Sequence, residues 1–329
     1  MPAPQPPGSE PDAPGRPLPP SPGDEGPAAA EQLLSDREQA ESLARIERGE
    51  IPLGAERRLQ KLRSEGGLFT SDLSVSEFML GSHLGLQPLT QVMGSCVYQV
   101  GWQYTRELIY SRGLSLYQEL DVITEAFNEA RGRALSRMRQ EAQLAGADAV
   151  VGVRLRNGRY DWAADSVEFA VFGTAVRDPT ASRRGEAVLT DLSLQDYWKL
   201  KQAGVEPCGL VAATSCFFVA ASPETQMMSG LAGRFAFPEN QELVAYTQGV
   251  YEARETALGR LTEQVRDARG DGVVGVNITH TISEQEMKTS IGGAAVRGLL
   301  VTFHVAGTAV CLQPDTPTYP PETTVSLSN

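Results

Sequence analysis

The chain has 329 residues and a formal net charge of −12, which argues against duplex nucleic acid or an anionic membrane as partner, since both are bound through clustered Lys and Arg. Its length is sufficient for two domains of ordinary size. Because the sequence shows neither a secretory signal pattern nor an apolar run of about 18 residues, we predict a cytoplasmic protein.

Both ends of the chain have the composition of disordered tails. Residues 1–27 are rich in Pro, Gly and acidic residues, and residues 313–329 are rich in Pro, Thr and Ser. Neither segment has enough large apolar side chains for burial to offset the entropy of ordering. Between the first tail and the rest of the chain, residues 28–67 predict two short helices separated at Pro52. We expect this helical segment to contact a protein partner or to cap the assembly.

The remainder of the chain is a duplication, with predicted repeats at 68–178 and 188–312. Residues 145–153 read AGADAVVGV and residues 268–276 read ARGDGVVGV, and each repeat ends in Gly-Thr-Ala-Val. In each repeat these glycines follow a helix and precede or interrupt a strand, which is the reverse of a phosphate-binding loop. We therefore predict that they end helices and allow close packing on a sheet. These structural glycines are Gly146, Gly152, Gly173, Gly270, Gly275 and Gly307.

Each repeat starts with a short capped helix. Ser74 and Glu77 have the spacing of a capping box, and the second repeat reproduces the design at residues 191–197. The first strand candidate of each repeat then contains a Ser-Cys pair. We therefore expect Cys96 and Cys216 to occupy equivalent positions.

A long helix, predicted over 122–144 in the first repeat, carries apolar residues at every fourth position. This ladder consists of Ala130, Ala134, Met138 and Ala142, and in the second repeat of Ala253, Ala257, Leu261 and Val265. Small residues on the ladder allow the helix to lie close to a sheet. The polar residues between them are expected mostly on the outer side of the helix. They are Arg131, Arg133, Arg137 and Glu141.

A hairpin follows each long helix. In the first repeat its strands are predicted at 150–155 and 167–176, with Asn157 and Gly158 in the turn. In the second repeat a longer connection is predicted over 282–297. The sequence thus predicts an α+β protein made of two tandem two-layer β-α-β-β domains, each an antiparallel sheet packed by one long helix.

These motifs together resemble the YbjQ family, whose members carry a heavy-metal-binding label. The resemblance rests on Ala130-Arg131, Ala134-Leu135, residues 145–153 and residues 173–176, and on their counterparts Ala253-Arg254, Ala257-Leu258, residues 270–276 and residues 307–310. It implies dodecin-like α/β subunits that assemble into rings, with a transition or heavy metal ion as the cofactor. Family members are mostly single-domain, so the fusion of two units leaves the ring number open.

The residues themselves offer few metal ligands. Strand alternation places His280 and His304 on opposite faces of the second hairpin. The four cysteines form no C-x-x-C pair, and reduced, mostly buried thiols are expected. The candidate metal ligands are Cys96, Cys216 and Cys311.

The sequence shows no motif of a nucleophilic hydrolase, a zinc protease or a nucleotide-binding loop, so an enzyme is not predicted. Three functions stay open. The first is a non-enzymatic scaffold that forms homo-oligomers. Open sheet edges favour such pairing between copies. The second is metal binding by cysteines at strand or subunit junctions. The third is a small-molecule-binding ring with clefts lined by the aromatic residues of 101–117.

Overall fold

The computed structural model describes residues 27–65, 68–101, 117–160, 163–181, 185–221, 242–288 and 295–312. The predicted tails lie outside these residues, except that Pro27 begins the first helix. Most of the aromatic segment 101–117 also lies outside them. None of the described helices is both long and apolar enough to cross a membrane.

The described residues form helices and two sheets. The helices are α1 (Pro27–Glu47), α2 (Leu53–Glu65), α3 (Val75–Leu84), α4 (Asp121–Ala145), α5 (Leu194–Gln202) and α6 (Val244–Asp267). The strands are β1 (Gln87–Gln99), β2 (Tyr117–Glu119), β3 (Ala149–Tyr160), β4 (Ala163–Arg177), β5 (Val188–Leu189), β6 (Val205–Ala220), β7 (Gly272–Lys288) and β8 (Ala295–Leu312). The first sheet has the order β1-β4-β3-β5 and the second β2-β6-β8-β7.

The predicted α+β class is confirmed, because each repeat supplies an antiparallel three-stranded core and one long helix that packs on it. The sheets also gain two short strands. β2 precedes α4 of the first repeat but pairs with β6 of the second sheet. β5 lies between the repeats and pairs in parallel with β3. Each sheet is therefore completed by a segment outside the repeated strands.

The strands extend further than the sequence predicted. Asn157 and Gly158, predicted in a turn, lie within β3 and pair with Phe169 and Glu168 of β4. The predicted connection at 282–297 is also mostly strand. Cross-strand pairs continue along both segments. Such pairs outweigh the local turn preference of an Asn-Gly sequence.

The ladder of α4 lies directly on the first sheet, as predicted. Ala130, Ala134 and Met138 are completely buried. A Cβ atom placed on Gly94 of β1 would lie 1.9 Å from the backbone oxygen of Ala134. The close approach thus requires a glycine in the strand as well as small residues in the helix.

The opposite side of α4 is buried too, which corrects the expectation that its polar residues face outward. Arg131, Arg137 and Glu141 are only 5%, 8% and 3% exposed. Side chains of the second sheet, including Phe218 and Leu300, belong to the same core cluster as the α4 ladder. The prediction was wrong because it considered the helix and its own sheet alone. Arg131 is covered by the second sheet, whereas Arg137 and Glu141 are covered by the N-terminal helices.

Arg137 and Glu141 bind the open edge of β1. Arg137 Nη1 donates to the carbonyl oxygen of Ser95 at 2.5 Å, and the carboxylate of Glu141 accepts from Met93 N at 3.0 Å. Arg137 also donates to the backbone oxygens of Ile46 and Glu50, where α1 passes into α2. The N-terminal helices are therefore attached to the first repeat by buried polar bonds.

We expect Glu141→Gln to stabilise the protein at pH 7 and Glu141→Ala to destabilise it. Burial raises the pKa of Glu141, so its charged form lowers the stability of the fold, and this penalty grows as the pH rises above the unfolded-state pKa near 4.5. A glutamine removes the charge and keeps an acceptor for Met93 N, whereas alanine leaves that N–H unpaired at a cost of about 1–3 kcal/mol.

Urea unfolding between pH 4 and pH 8 measures both effects, with the gain of Glu141→Gln disappearing toward pH 4. The second repeat provides a natural control, since Gln264 of α6 already accepts from Ala212 N at 3.0 Å. Replacing Gln264 by Glu should reproduce the penalty at neutral pH. Equal stability of Glu141→Gln and the wild type across this range would contradict the assignment.

Two repeated motifs are brought together by one hydrogen bond in each repeat. The hydroxyl of Thr174 donates to Asp72 Oδ1 at 2.7 Å, and the hydroxyl of Thr308 donates to Asp191 Oδ1 at 2.5 Å. Each threonine comes from the terminal Gly-Thr-Ala-Val, and each aspartate precedes the capped helix that starts the repeat. This bond links the beginning of each repeat to its end.

Candidate functional site

The structure pairs two of the cysteines that were expected to be reduced. Cys208 and Cys311 form a disulfide, with their Cα atoms 6.1 Å apart and a sequence separation of 103 positions. The pairing of β6 with β8 brings the two cysteines close together, because Cys311 lies opposite Glu206, which is two residues before Cys208 in β6. Their distance along the chain gave no indication of it. Cys311 therefore has no free thiolate to offer a metal.

Cys96 and Cys216 are buried and lie outside this disulfide, but they are not equivalent. Cys96 pairs with Phe169, whose counterpart in the Phe-x-x-x-Gly-Thr-Ala-Val sequence of the second repeat is Phe303. Phe303 pairs with Ser215, so the Ser-Cys pairs are displaced by one residue. Adjacent strand residues point to opposite faces. Cys96 thus faces its own helix and Cys216 faces away from its own.

Among the described residues, these thiols are not part of a cluster of metal ligands. Burial raises the pKa of Cys96, which disfavours the thiolate that binds metals. Within the described ranges, His, Cys, Asp and Glu form no cluster of three or more that could hold a metal ion. The described donor set therefore does not fit a heavy metal within a single chain.

Five of the six structural glycines have one of three roles. Gly146 takes a left-handed φ of +75° at the end of α4, as predicted. Gly173 and Gly307 allow close packing, because an added Cβ would lie 2.7 Å from Val150 or Val273.

The other three glycines differ from the prediction. Gly152 and Gly275 lie in β-bulges and have left-handed backbone conformations, with φ of +63° and +67°. At the end of α6 the left-handed residue is Arg269, with φ of +55°, rather than Gly270.

A cavity of about 380 Å³ lies between the two repeats. It is lined by side chains of α4, both sheets and the segment after β5. Its polar lining consists of Arg131, Arg154, Asn157, Asp191, Thr214, Asn277, Thr279 and His304. Its apolar lining includes Val153, Leu155, Phe169 and Val305. We treat this inter-repeat cleft as the candidate ligand site.

His304 connects the two repeats within the cleft. Its Nε2 lies 2.8 Å from Asn157 Nδ2, and its Nδ1 lies 2.9 Å from Thr214 Oγ1. Because an amide nitrogen can only donate, Nε2 accepts and the proton resides on Nδ1. Burial and the nearby Arg131 lower the pKa of His304 to about 4. The ring is therefore neutral at pH 7.

Arg131 lies beside this histidine and is buried. Its Nη1 donates to Thr214 Oγ1 at 2.8 Å, and its Nη2 donates to Asn128 Oδ1. No carboxylate of the described residues forms an ion pair with it. Burial lowers its pKa to about 10, and the side chain stays cationic at pH 7. The helical pattern had placed it in solvent, so sequence reasoning missed this residue.

The two histidines of the second hairpin lie on opposite faces, as alternation predicted. His280 stacks on Phe303 with ring centroids 6.4 Å apart. His304 contacts Phe127 and Phe169 of the first repeat. The pair therefore shares no site.

A second candidate surface is the outer edge of β7. All residues from 275 to 286 are exposed, including Val276, Ile278 and Ile282 at 46%, 47% and 47%. Ile278 and Ile282 pair with Val305 and Val301, which face α6. They therefore form an apolar strip on the same face of the sheet, beside that helix.

Comparison with known proteins agrees with the duplication. A family model described as YbjQ_1, "Putative heavy-metal-binding", matches residues 89–178 and again residues 228–313. The chain belongs to this family. The two matches follow each other along one chain, so the YbjQ protein described here is a tandem member.

Its relatives include one long protein and several short ones. The Encapsulin nanocompartment protein Rv1762c of Mycobacterium tuberculosis is 37% identical over 247 residues, which cover 74% of this chain and 85% of the relative. A UPF0145 protein of Methanococcus maripaludis is 44% identical over 71 residues, covering 22% of this chain and 62% of the relative. A UPF0145 protein of Methanococcus vannielii is 48% identical over 58 residues, covering 18% and 53%. No solved structure gives a significant match.

Proposed function

We propose that this tandem YbjQ protein is a non-enzymatic assembly protein that associates with further copies of itself through the edge of β7. The observation that carries the proposal is the long exposed edge of β7. An uncovered strand edge is a template for pairing with another chain.

Each of the other outer strands is bound along part of its edge by described residues, whereas residues 275–286 of β7 are all exposed. Arg137 and Glu141 bind the edge of β1. The start of β3 pairs with β5, and Gly152 N and Val153 N then donate to the backbone oxygens of Leu192 and Thr190. On β6, the edge is covered by β2 and by the side chains of Asn128 and Gln264.

Pairing of two β7 edges would be antiparallel and two-fold symmetric. Such an isologous contact uses the same surface on both copies and closes after two chains. It would join two four-stranded sheets into one and would bring the exposed Ile278 and Ile282 of each copy beside the partner's strip. Larger rings would then be built from pairs, which gives an even number of chains.

The mycobacterial relative supports an assembly function, since its name places it in an encapsulin nanocompartment. A scaffold of this kind needs no catalytic residues. It is consistent with a cytoplasmic location, which we also propose. The N-terminal helices α1 and α2, fixed to β1 by Arg137, would remain available on the outside as a contact for a different protein.

Native mass spectrometry of the purified full chain tests the proposal. We expect an even-numbered oligomer for the wild type and fewer chains for the double variant Ile278→Lys, Ile282→Lys, because the lysines of paired strands would repel each other. Tyr251→Lys is the matched control, since Tyr251 is 56% exposed on α6, and it should leave the chain number unchanged.

Both replaced isoleucines are half-exposed, so the free energy of unfolding of the double variant should lie within about 1 kcal/mol of the wild-type value. A monomeric wild type, or a double variant with the original chain number, would overturn the edge-pairing proposal. A metal mass on each chain, lost when Cys96 and Cys216 are replaced by serine, would support the family's metal label instead.

A further inference from the structure

The inter-repeat cleft contains a buried positive charge without a negative partner among the described residues. Arg131 is 5% exposed and donates only to neutral oxygen atoms, those of Thr214 and Asn128. A buried guanidinium ordinarily has a carboxylate partner, because desolvating an unpaired charge is costly. This arrangement suits a site in which a ligand supplies the negative charge.

The repeat itself shows that burial is not a general property of this position. Arg254 occupies the same place in α6, following Ala253 as Arg131 follows Ala130. Its side chain is 46% exposed and approaches Glu255 at 3.5 Å. Arg131 is therefore buried because the second sheet covers it, and the same contact forms the cleft.

We propose that the cleft binds a small organic monocarboxylate whose carboxylate pairs with Arg131 and whose apolar body lies against Phe169 and its neighbours. A planar guanidinium fits a carboxylate with two parallel hydrogen bonds. The cavity of about 380 Å³ has the size of a small-molecule pocket and combines an apolar wall with a few polar groups.

The charges of the lining favour one negative charge over two. Asp191 also lines the cleft, and its Oδ1 is held by the hydroxyl of Thr308. A doubly charged phosphate group would be repelled by this aspartate more strongly than a monocarboxylate with its single charge. Arg154 also lines the cleft, but its side chain is 65% exposed and lies 3.8 Å from the carboxylate of Asp72, so Arg131 is the cation that we assign to the ligand.

His304 and Asn157 hold the site together without contributing a charge. The imidazole accepts from Asn157 and donates to Thr214, so it fixes the oxygen atom that Arg131 Nη1 also binds. The guanidinium is thus positioned before any ligand enters, which lowers the entropy cost of binding.

Thermal shift and calorimetric titration with benzoate and hexanoate test the proposal, with benzamide, hexanol and inorganic phosphate as comparison probes. We expect saturable binding of a carboxylate to the wild-type chain, and binding at least tenfold weaker for the neutral probes and for phosphate. Arg131→Met should lose the carboxylate binding by at least tenfold. Arg254→Met, the equivalent change in the exposed position, should bind as the wild type does.

Methionine at position 131 fills the same space without a buried charge, so this variant is expected to fold, which circular dichroism verifies. Absence of saturable carboxylate binding to the wild type at 20 mM, or unchanged binding in Arg131→Met, would overturn the proposal. Preferential binding of inorganic phosphate would overturn the monocarboxylate class as well.

Discussion

Gly94→Ala is expected to destabilise the protein by about 3 kcal/mol, the upper range for inserting one carbon into a packed core. The new Cβ would lie 1.9 Å from the backbone oxygen of Ala134 and 2.8 Å from the backbone nitrogen of Met138. Backbone atoms cannot rotate away as a side-chain tip can. Because the second sheet holds α4 from the other side, the helix cannot move outward without disturbing the contact between the repeats.

Gly132→Ala provides the matched control on the same helix. Gly132 is exposed, and a Cβ there would meet no atom within 4 Å, so alanine should stabilise α4 by about 0.5–1 kcal/mol. Urea unfolding of both variants would give shifts of opposite sign. If Gly94→Ala unfolded at the wild-type urea concentration, α4 would not lie as close to β1 as the structure shows.

Local patterns in the sequence predicted most of the fold. The ladder at every fourth residue predicted α4 and α6, and the capping box at Ser74 and Glu77 is formed as its spacing indicates. These features depend only on residues within a few positions of each other. The repeated signature at residues 145–153 and 268–276 also predicted the strand that follows each long helix.

Contacts between the repeats could not be predicted in this way. The hydrogen bond from Asn157 to His304 joins residues separated by 147 positions, and no local period records it. The cleft, the burial of Arg131 and the disulfide all depend on how one sheet docks on another. A small local error also had a large consequence, because aligning the Ser-Cys pairs of Cys96 and Cys216 moved one thiol to the wrong face.

Duplication placed one helix in two environments, and the differences between the copies follow from that. Glu141 is buried beneath α2 and pairs with Arg58, whereas Gln264 makes the equivalent strand contact without a charge. Arg137 binds the N-terminal helices, whereas Arg260 pairs with Glu119 at the end of β2. The polar face of α4 has therefore become an interface, while that of α6 has kept its exposed arginine at Arg254.

Acidification from pH 7 to pH 4 is expected to weaken the fold through His304 by about 3 kcal/mol. Burial and Arg131 lower its folded-state pKa to about 4 from 6.5, and one pKa unit corresponds to about 1.4 kcal/mol. Between these values the unfolded chain binds a proton that the folded chain does not, so stability falls as the pH drops through this window.

The His304→Gln variant isolates this effect, because glutamine retains an acceptor for Asn157 and does not titrate. Its unfolding free energy, measured in urea from pH 7 to pH 4, should fall less steeply than that of the wild type, with the difference reaching about 3 kcal/mol. Glu141 and Asp191, whose pKa values burial raises, contribute the opposite slope in both proteins and cancel in the comparison. A parallel pH dependence of wild type and His304→Gln would show that the imidazole is not enclosed between the repeats.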